Sequence, residues 1–427
     1  MLFPVTYRVS AAGHMEVGGC DLVELARAHG TPLYVYDEAT VRQRASEYMA
    51  AMGSAGQVLY SAKAFASPQF LRVIAAEGLG LDVVSAGELH LALRSGFPQE
   101  RIHFLGNNKS REDVQAAYAA GVTIVIDGDY EFELLQEVVP EGELTPVMLR
   151  LSPGVKPVTH DHISTGQLDS KFGFSIESGA ARRAVEKALQ HPRLELIGLH
   201  SHIGSQIFGL GAYEHAMSMM LDLLVSLRDE LGFEPRKLGA GGGLGIAYTR
   251  DDDPPTPRHF VEVVHHSMVA GCIERGLKVP QLVVEPGRSI AGPAGIALYT
   301  VGSIKDIPGV RRYVAVDGGM GDNIRPKLYG ARYEAYLASD PDRAHDGKVT
   351  IAGKYCESTD ILITDIEMPT LKAGDVIALP AAGAYCLSMA SNYNGMPRPE
   401  VLMLNDGEAR VMRRRESLDD IIAAEVF

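Results

Sequence analysis

The chain has 427 residues, 46% of them hydrophobic and 22% charged, and its 40 basic and 54 acidic side chains give a formal net charge of −14. That length exceeds one ordinary core and predicts about two domains, or one large barrel with an addition. The acidic balance, with no basic block, argues against nucleic acid or an anionic membrane as partner, because both need clustered Lys and Arg.

The opening stretch, "MLFPVTYRVSAAGHMEVGG", lacks the basic start and long apolar core of a secretory signal. No segment approaches the roughly 18 apolar residues of a membrane span, so a cytoplasmic protein is expected. Cys20, Cys272, Cys356 and Cys386 are scattered without a C-x-x-C pair, which indicates neither a zinc site nor a disulfide framework.

In chain order, "LFPVTYRVS" and "TPLYVYD" are strand-like. From Val58 onward short apolar runs alternate with amphipathic helical segments. Strands are predicted at 58–64, 79–85, 101–106, 122–127, 145–152, 194–202, 236–243 and 281–287. Between them, stretches such as "SPQFLRVIAAEG", "AGELHLALRSG" and "SREDVQAAYAAG" carry apolar residues at helical spacing and end in Gly. Eight such units predict an α/β fold, a closed (β/α)8 TIM-like barrel, with an open doubly wound sheet as the rival. After Glu285, "IALYTVGSI", "RRYVAVDGG", "KVTIAGKYCES" and "VIALPAAGAYCLS" predict an all-β C-terminal domain, a β-sandwich or β-barrel, joined by the N-terminal segment. The expected division is 1–36 with the β domain, 37–286 as barrel, and 287–427 as β domain.

Chemistry in such a barrel sits at the C-terminal ends of its strands. The first predicted strand ends at Lys63, among small apolar residues where a lysine loses its proton more easily, although a surface lysine fits too. The sixth ends in "HSHIGSQ", where His200 and His202 could be a metal pair, or one imidazole could stack on a flat cofactor with Ser205 beside it. The seventh ends in Gly241, Gly242 and Gly243, whose backbone N–H groups can converge on an anion, or simply turn the chain. The eighth ends in "EPGRS", placing Glu285 and Arg288 at the mouth, where phosphate sites in barrels form. Amine, anion cradle, imidazole, and an acid able to hold a proton on a pyridine nitrogen together describe a pyridoxal phosphate site. Further along, Cys356 stands beside Glu357 in an otherwise apolar run, and reads as a core thiol, a nucleophile or a proton donor.

The motifs "GLGLDVVSAGEL", "GNNKS", "TGQLDSKFGFS", "HSHIGSQIF", "GGGLGI", "EPGRS", "IRPKLY", "CESTD" and "GAYCLSMASNYN" follow one another across nearly the whole chain. In that order they resemble the alanine racemase-like barrel class of pyridoxal phosphate enzymes, in its decarboxylase branch, and within it the diaminopimelate decarboxylase family. The resemblance implies a Schiff-base lysine at Lys63 and a ring-stacking His202. It implies cofactor contacts from Asp82, Ser205, Gly241, Gly242, Gly243, Gly287, Arg288 and Tyr385, with Glu285 on the pyridine nitrogen. It further implies a cytoplasmic homodimer in which the Cys356–Glu357 segment reaches the neighbouring subunit's site, and no metal. Ser61, where a small apolar residue is more usual, and Lys354, where proline is common, depart from the pattern.

Diaminopimelate carries an amino-acid group at each end, so its non-reacting end needs a positive fork and a negative partner. Arg325, helped by Arg288 and Tyr329, could take the distal carboxylate, Glu357 the distal ammonium, and Tyr385 could lie near cofactor or substrate. The thiol of Cys356 could deliver the proton that replaces the departing carboxylate. Decarboxylases of D-ornithine, D-lysine or a carrier-linked amino acid are the nearer alternatives. A metal-dependent hydrolase using His200, His202, His160 and His162 is the distant one.

Overall fold

The computed structural model describes residues 1–155 and 170–427, and the chain divides into two compact units. One comprises residues 44–245 and 254–289, the other residues 1–43, 246–253 and 290–427.

The first unit is a barrel. Its strands are Gly56–Ser61, Gly80–Val83, Ile102–Phe104, Thr123–Ile126, Thr145–Ser152, Leu194–Ser201, Lys237–Gly241 and Gln281–Val284. All pair in parallel, and the ring closes where Leu282 meets Gly56 and Val284 meets Val58. The fifth strand matches the expected limits, whereas the first ends at Ser61 and passes into a single 3-10 turn, Ala62–Ala64. Lys63 therefore lies just beyond the strand, in the loop at its C-terminal end, and not on the pleat.

The helices start where short polar side chains can satisfy free backbone N–H groups. Ser67 accepts from Phe70 N before Pro68–Ala76, Ser85 from Glu88 N before Ala86–Arg94, and Ser110 forms a capping box with Asp113 before Arg111–Ala119. The eighth strand is followed only by the short helix Arg288–Ala291. Leu105, Val125, Met148 and Ile197 form a buried apolar cluster contributed by the third to sixth strands and their ends.

The second unit is built around a sheet in the order 361–368, 347–352, 311–316, 295–307, 33–37, 400–405 and 408–413. The N-terminal strand Leu33–Asp37 sits inside it, antiparallel to Gly295–Ile307 and parallel to Glu400–Asn405. Alternation along strands decides which side chain meets which environment. Leu33, Val35, Ile296, Leu298, Leu402 and Leu404 pack into one aliphatic core with Met15, Val17 and Leu22. Tyr34 and Tyr299, of opposite parity, put their hydroxyls on Asp322, which also accepts from Gly319 N at 2.9 Å. The loop leading to Arg325 is thereby tied to two strands. Residues 246–253, which the periodicity did not single out, also belong to this unit.

Candidate active site

At the C-terminal rim of the barrel, Glu285 and His200 are both buried, with His200 Nε2 at 2.9 Å from Glu285 Oε2. They come from the sixth strand and from the residue just after the eighth, so the contact must cross the seventh. It does so at Gly239, which is in register with His200 and whose Cβ, were there one, would lie 2.9 Å from His200 Cδ2. Burial alone would raise the Glu285 carboxyl, but His200, His202 and Lys63 outweigh it and hold the group well below the usual carboxylate range. Its second oxygen, Oε1, is buried with no hydrogen-bond partner among the described residues. A buried acceptor left open in this way is available to a donor.

The loop after the seventh strand holds His202. Gly242 N donates to His202 Nδ1 at 3.2 Å, which puts a neutral ring's proton on Nε2, and burial foremost, then Lys63, lowers the imidazole to about 3. The glycines are needed where they stand: Gly241 and Gly243 have φ of +70° and +104°, and a Cβ on Gly242 would fall 2.0 Å from the Glu285 carbonyl oxygen. Close by, Arg288 Nη2 donates to Ser205 Oγ at 2.8 Å. Gly287 packs directly against Ser61 and Ala64.

Lys63 is exposed between buried Ala62 and Ala64, and its charge acts on Asp82, Glu88, His202 and Glu285. Asp82 is buried and pushed up by burial and by Glu285, and Ser61 Oγ donates to its Oδ2 at 2.7 Å. Burial also pushes Glu88 up to about 7, although Val84 N donates to it at 2.8 Å.

In the sheet unit, Arg325 opens the helix Arg325–Tyr329 and is buried without an ion-pair partner among the described residues. Its guanidinium lies 4.4 Å over the Tyr248 ring, Nη1 donates to Tyr333 OH, and Nε has no hydrogen-bond partner among the described residues. Tyr329, named with Arg325 from the sequence, is exposed; Tyr333 is the tyrosine on the guanidinium. Tyr385 adopts a left-handed φ of +61°, a conformation that non-glycine residues hold only when their surroundings impose it.

Cys356 is not on a strand, as its apolar neighbours suggested. It lies in the turn joining Gly347–Ala352 to Ile361–Met368. Buried Asp360 ties that turn from beneath by accepting from Tyr355 N at 2.9 Å and Met320 N at 2.7 Å, while Cys356 N donates to Asn394 Oδ1 at 2.8 Å. The thiol is left exposed, and Glu357 beside it accepts from Thr359 N and Ser358 Oγ, both at 3.3 Å.

Residues 38–292 match the family model of the pyridoxal-dependent decarboxylases, pyridoxal binding domain. A diaminopimelate decarboxylase of Bacillus subtilis is 49% identical over 98% of this chain and 96% of its own length. One of Mycobacterium tuberculosis is 45% identical over 97% and 95%. The chain belongs to the diaminopimelate decarboxylases. Among solved structures, the M. jannaschii diaminopimelate decarboxylase in co-complex with L-lysine superposes with a TM-score of 0.92, at 34% identity over 100% of this chain and 99% of that one. The Helicobacter pylori enzyme complexed with L-lysine gives 0.85 at 30% identity, over 94% and 98%.

The family's reaction is a pyridoxal-phosphate-dependent carboxy-lyase reaction, and the rim residues fit that cofactor. Glu285 Oε1 is an open acceptor for a pyridine N–H, and the glycine loop, Ser205 and Arg288 offer donors for a phosphate. Sequence reasoning paired His200 with His202 as a possible metal site and missed its link to Glu285. The available signal was a glycine, Gly239, on the strand between them. Ser61 was noticed only as a departure, and Glu88 and Tyr333 were not noticed at all. Among the described residues no group of three or more His, Cys, Asp or Glu could hold a metal ion; His160 and His162 lie outside the described residues.

Proposed function

We propose that this chain performs the family's reaction, loss of one carboxylate from meso-2,6-diaminopimelate to give L-lysine and carbon dioxide, with its residues in the following roles. The observation that carries this reading is the buried Glu285–His200 pair with one carboxylate oxygen left open. When bound, pyridoxal phosphate supplies a protonated ring that accepts the electron pair left as carbon dioxide departs.

Glu285, kept ionised by its hydrogen bond with His200 and by the charge of Lys63, holds the proton on the pyridine nitrogen. His202, neutral and fixed through Nδ1, presents its ring face, and Asp82 stands beside the amine of Lys63. Lys63 carries the amine that would hold the cofactor covalently. The donors of Gly241, Gly242, Gly243, Gly287, Ser205 and Arg288 serve the phosphate. Cys356 releases the Sγ proton to the carbon that lost its carboxylate, and Glu357 takes the distal ammonium. Arg325 takes the distal carboxylate. A buried guanidinium without a carboxylate partner among the described residues suits a substrate that brings its own, which a plain diamine-forming enzyme does not need. Tyr385 and Tyr329 complete the substrate's surroundings.

The working form is a cytoplasmic homodimer in which the exposed Cys356 turn of each copy serves the other copy's barrel. Mixing Lys63→Ala with Cys356→Ala, each inactive alone, then restores about a quarter of the sites through mixed dimers. No recovery on mixing rules out the shared site.

The direct test is reconstitution with pyridoxal phosphate and meso-diaminopimelate, measuring lysine and carbon dioxide. Lys63→Ala should lose the visible absorbance of the bound cofactor together with turnover. Failure of the wild-type protein to release carbon dioxide removes the reading.

A further inference from the structure

Arg325 is held by a chain of polar contacts that runs away from it into the sheet unit. Tyr333, Cys386 and Asn323 are all buried, at 3%, 1% and 1% exposure. Tyr333 OH lies 3.5 Å from Cys386 Sγ, and Cys386 Sγ lies 3.5 Å from Asn323 Oδ1 and 3.7 Å from the Ala384 carbonyl. Chemistry sets the direction of the chain. A guanidinium only donates, so Tyr333 oxygen must accept from Arg325 Nη1. The tyrosine's own hydrogen is then directed to sulfur, and the thiol hydrogen to the amide or the carbonyl. The Tyr248 ring packs edge-on to Tyr333, with centroids 5.3 Å apart and planes at 76°, and its centroid lies 4.4 Å from the guanidinium carbon.

Two donors remain open at the end of this arrangement. Arg325 Nε and Asn323 Nδ2 are buried with no hydrogen-bond partner among the described residues. They stand two residues apart on the segment that Asp322 ties to Tyr34 and Tyr299. Buried donors of this kind call for an acceptor, and a carboxylate offers two oxygens to a fork.

We propose that Tyr333, backed by Cys386 and Asn323, is a positioning residue that aims Arg325 at the substrate's distal carboxylate and so sets the preference for an amino-acid end over a bare amine. This rests on the role given to Arg325 above. Tyr333 touches no reacting atom; it removes the guanidinium's freedom to rotate, so that the fork is already formed when the carboxylate arrives. The thiol of Cys386 is needed as a neutral link that both accepts and donates, a function serine can take over and alanine cannot.

The test compares L-lysine with cadaverine, which is lysine without its carboxylate, as competitors of the holoenzyme. In Tyr333→Phe the KM for meso-diaminopimelate and the Ki of L-lysine should both rise about tenfold, while the Ki of cadaverine stays put. The kcat should hold within about twofold, and the absorbance band of the bound cofactor should not move. Cys386→Ser should resemble the wild type and Cys386→Ala should move part of the way toward Tyr333→Phe, which keeps the relay testable if the tyrosine variant folds poorly. Equal shifts for lysine and cadaverine, or an unchanged KM, overturn the proposal. Arg325→Met separates the two levels of inference. If it keeps the wild-type lysine-to-cadaverine ratio, the assignment of Arg325 itself falls. If it destroys that ratio while Tyr333→Phe and Cys386→Ala do not, only the relay falls.

Discussion

Glu285 in the barrel unit and Arg325 in the sheet unit are both buried charges, yet they are held by different means. Glu285 is fixed by the ends of neighbouring strands: its amide bonds to Gly241 O at 2.9 Å, and its carboxylate meets a histidine across one glycine. Arg325 is fixed by side chains from segments far apart in sequence, Tyr248, Tyr333 and Cys386 among them. In the barrel, backbone geometry delivers the chemistry, so order along the chain predicts it. In the sheet unit, delivery depends on which side chains happen to cross, and order along the chain says little.

That contrast can be broken most severely at the two groups assigned to proton chemistry. Cys356→Ala should lower kcat by roughly 10²–10⁴ while the cofactor absorbance persists, because only the final protonation is lost. Unchanged kcat would remove the thiol from the mechanism. Glu285→Gln should lower kcat by about 10²–10³, since an amide holds a ring proton far less well than a carboxylate. Here the cofactor's spectrum should change as well, and a variant with normal turnover and spectrum would show that Glu285 does not serve the ring.

Smaller effects sharpen the difference in construction. Asp322→Asn replaces one acceptor of a carboxylate that receives Tyr34, Tyr299 and Gly319, and should cost about 1–3 kcal/mol in unfolding free energy. Denaturant melts would register that loss, and no change would mean the loop before Arg325 does not depend on the tie. The barrel has a counterpart in His103, buried on the third strand. Burial first, then Lys237, lowers it from 6.5 to about 3. A histidine depressed in the fold is protonated first in the unfolded chain, so its contribution is intact above pH 6.5 and declines as the pH falls toward 3. The slope it adds is at most about 1.4 kcal/mol per pH unit, and His103→Gln should flatten stability against pH over that window by a corresponding amount. An identical slope in the variant would mean that the imidazole is already charged in the folded protein.

How far the molecule could be read from its residues follows the same line. The alternation of apolar runs and capped helices made the barrel legible, down to the limits of Thr145–Ser152. Strand ends were harder, because Ser61 and Lys63 share the composition of the strand and differ only in that the chain turns between them. His200 was visible as a residue but not its bond to Glu285, since nothing local in "HSH" says that the neighbouring strand carries a glycine at the same level. In the sheet unit the tyrosine that bonds the guanidinium was not legible. Tyr329 adjoins the "IRPKLY" motif and drew attention for that reason, whereas Tyr333 reaches the guanidinium one turn later. Residues 246–253, with Tyr248 among them, follow the glycine loop closely in sequence, and only tertiary contacts assign them to the sheet unit.

The strand Leu33–Asp37 has its two partners at Gly295–Ile307 and Glu400–Asn405. In chain order it precedes both, so it stays an unpaired β-prone segment until Gly295–Ile307 has been made and keeps one open edge until Glu400–Asn405 follows. The barrel strands meanwhile find neighbours as they appear. Loss of Glu400–Asn405 would therefore leave Leu33–Asp37 with one open edge, so these segments, distant in sequence, are inherited as a matched pair.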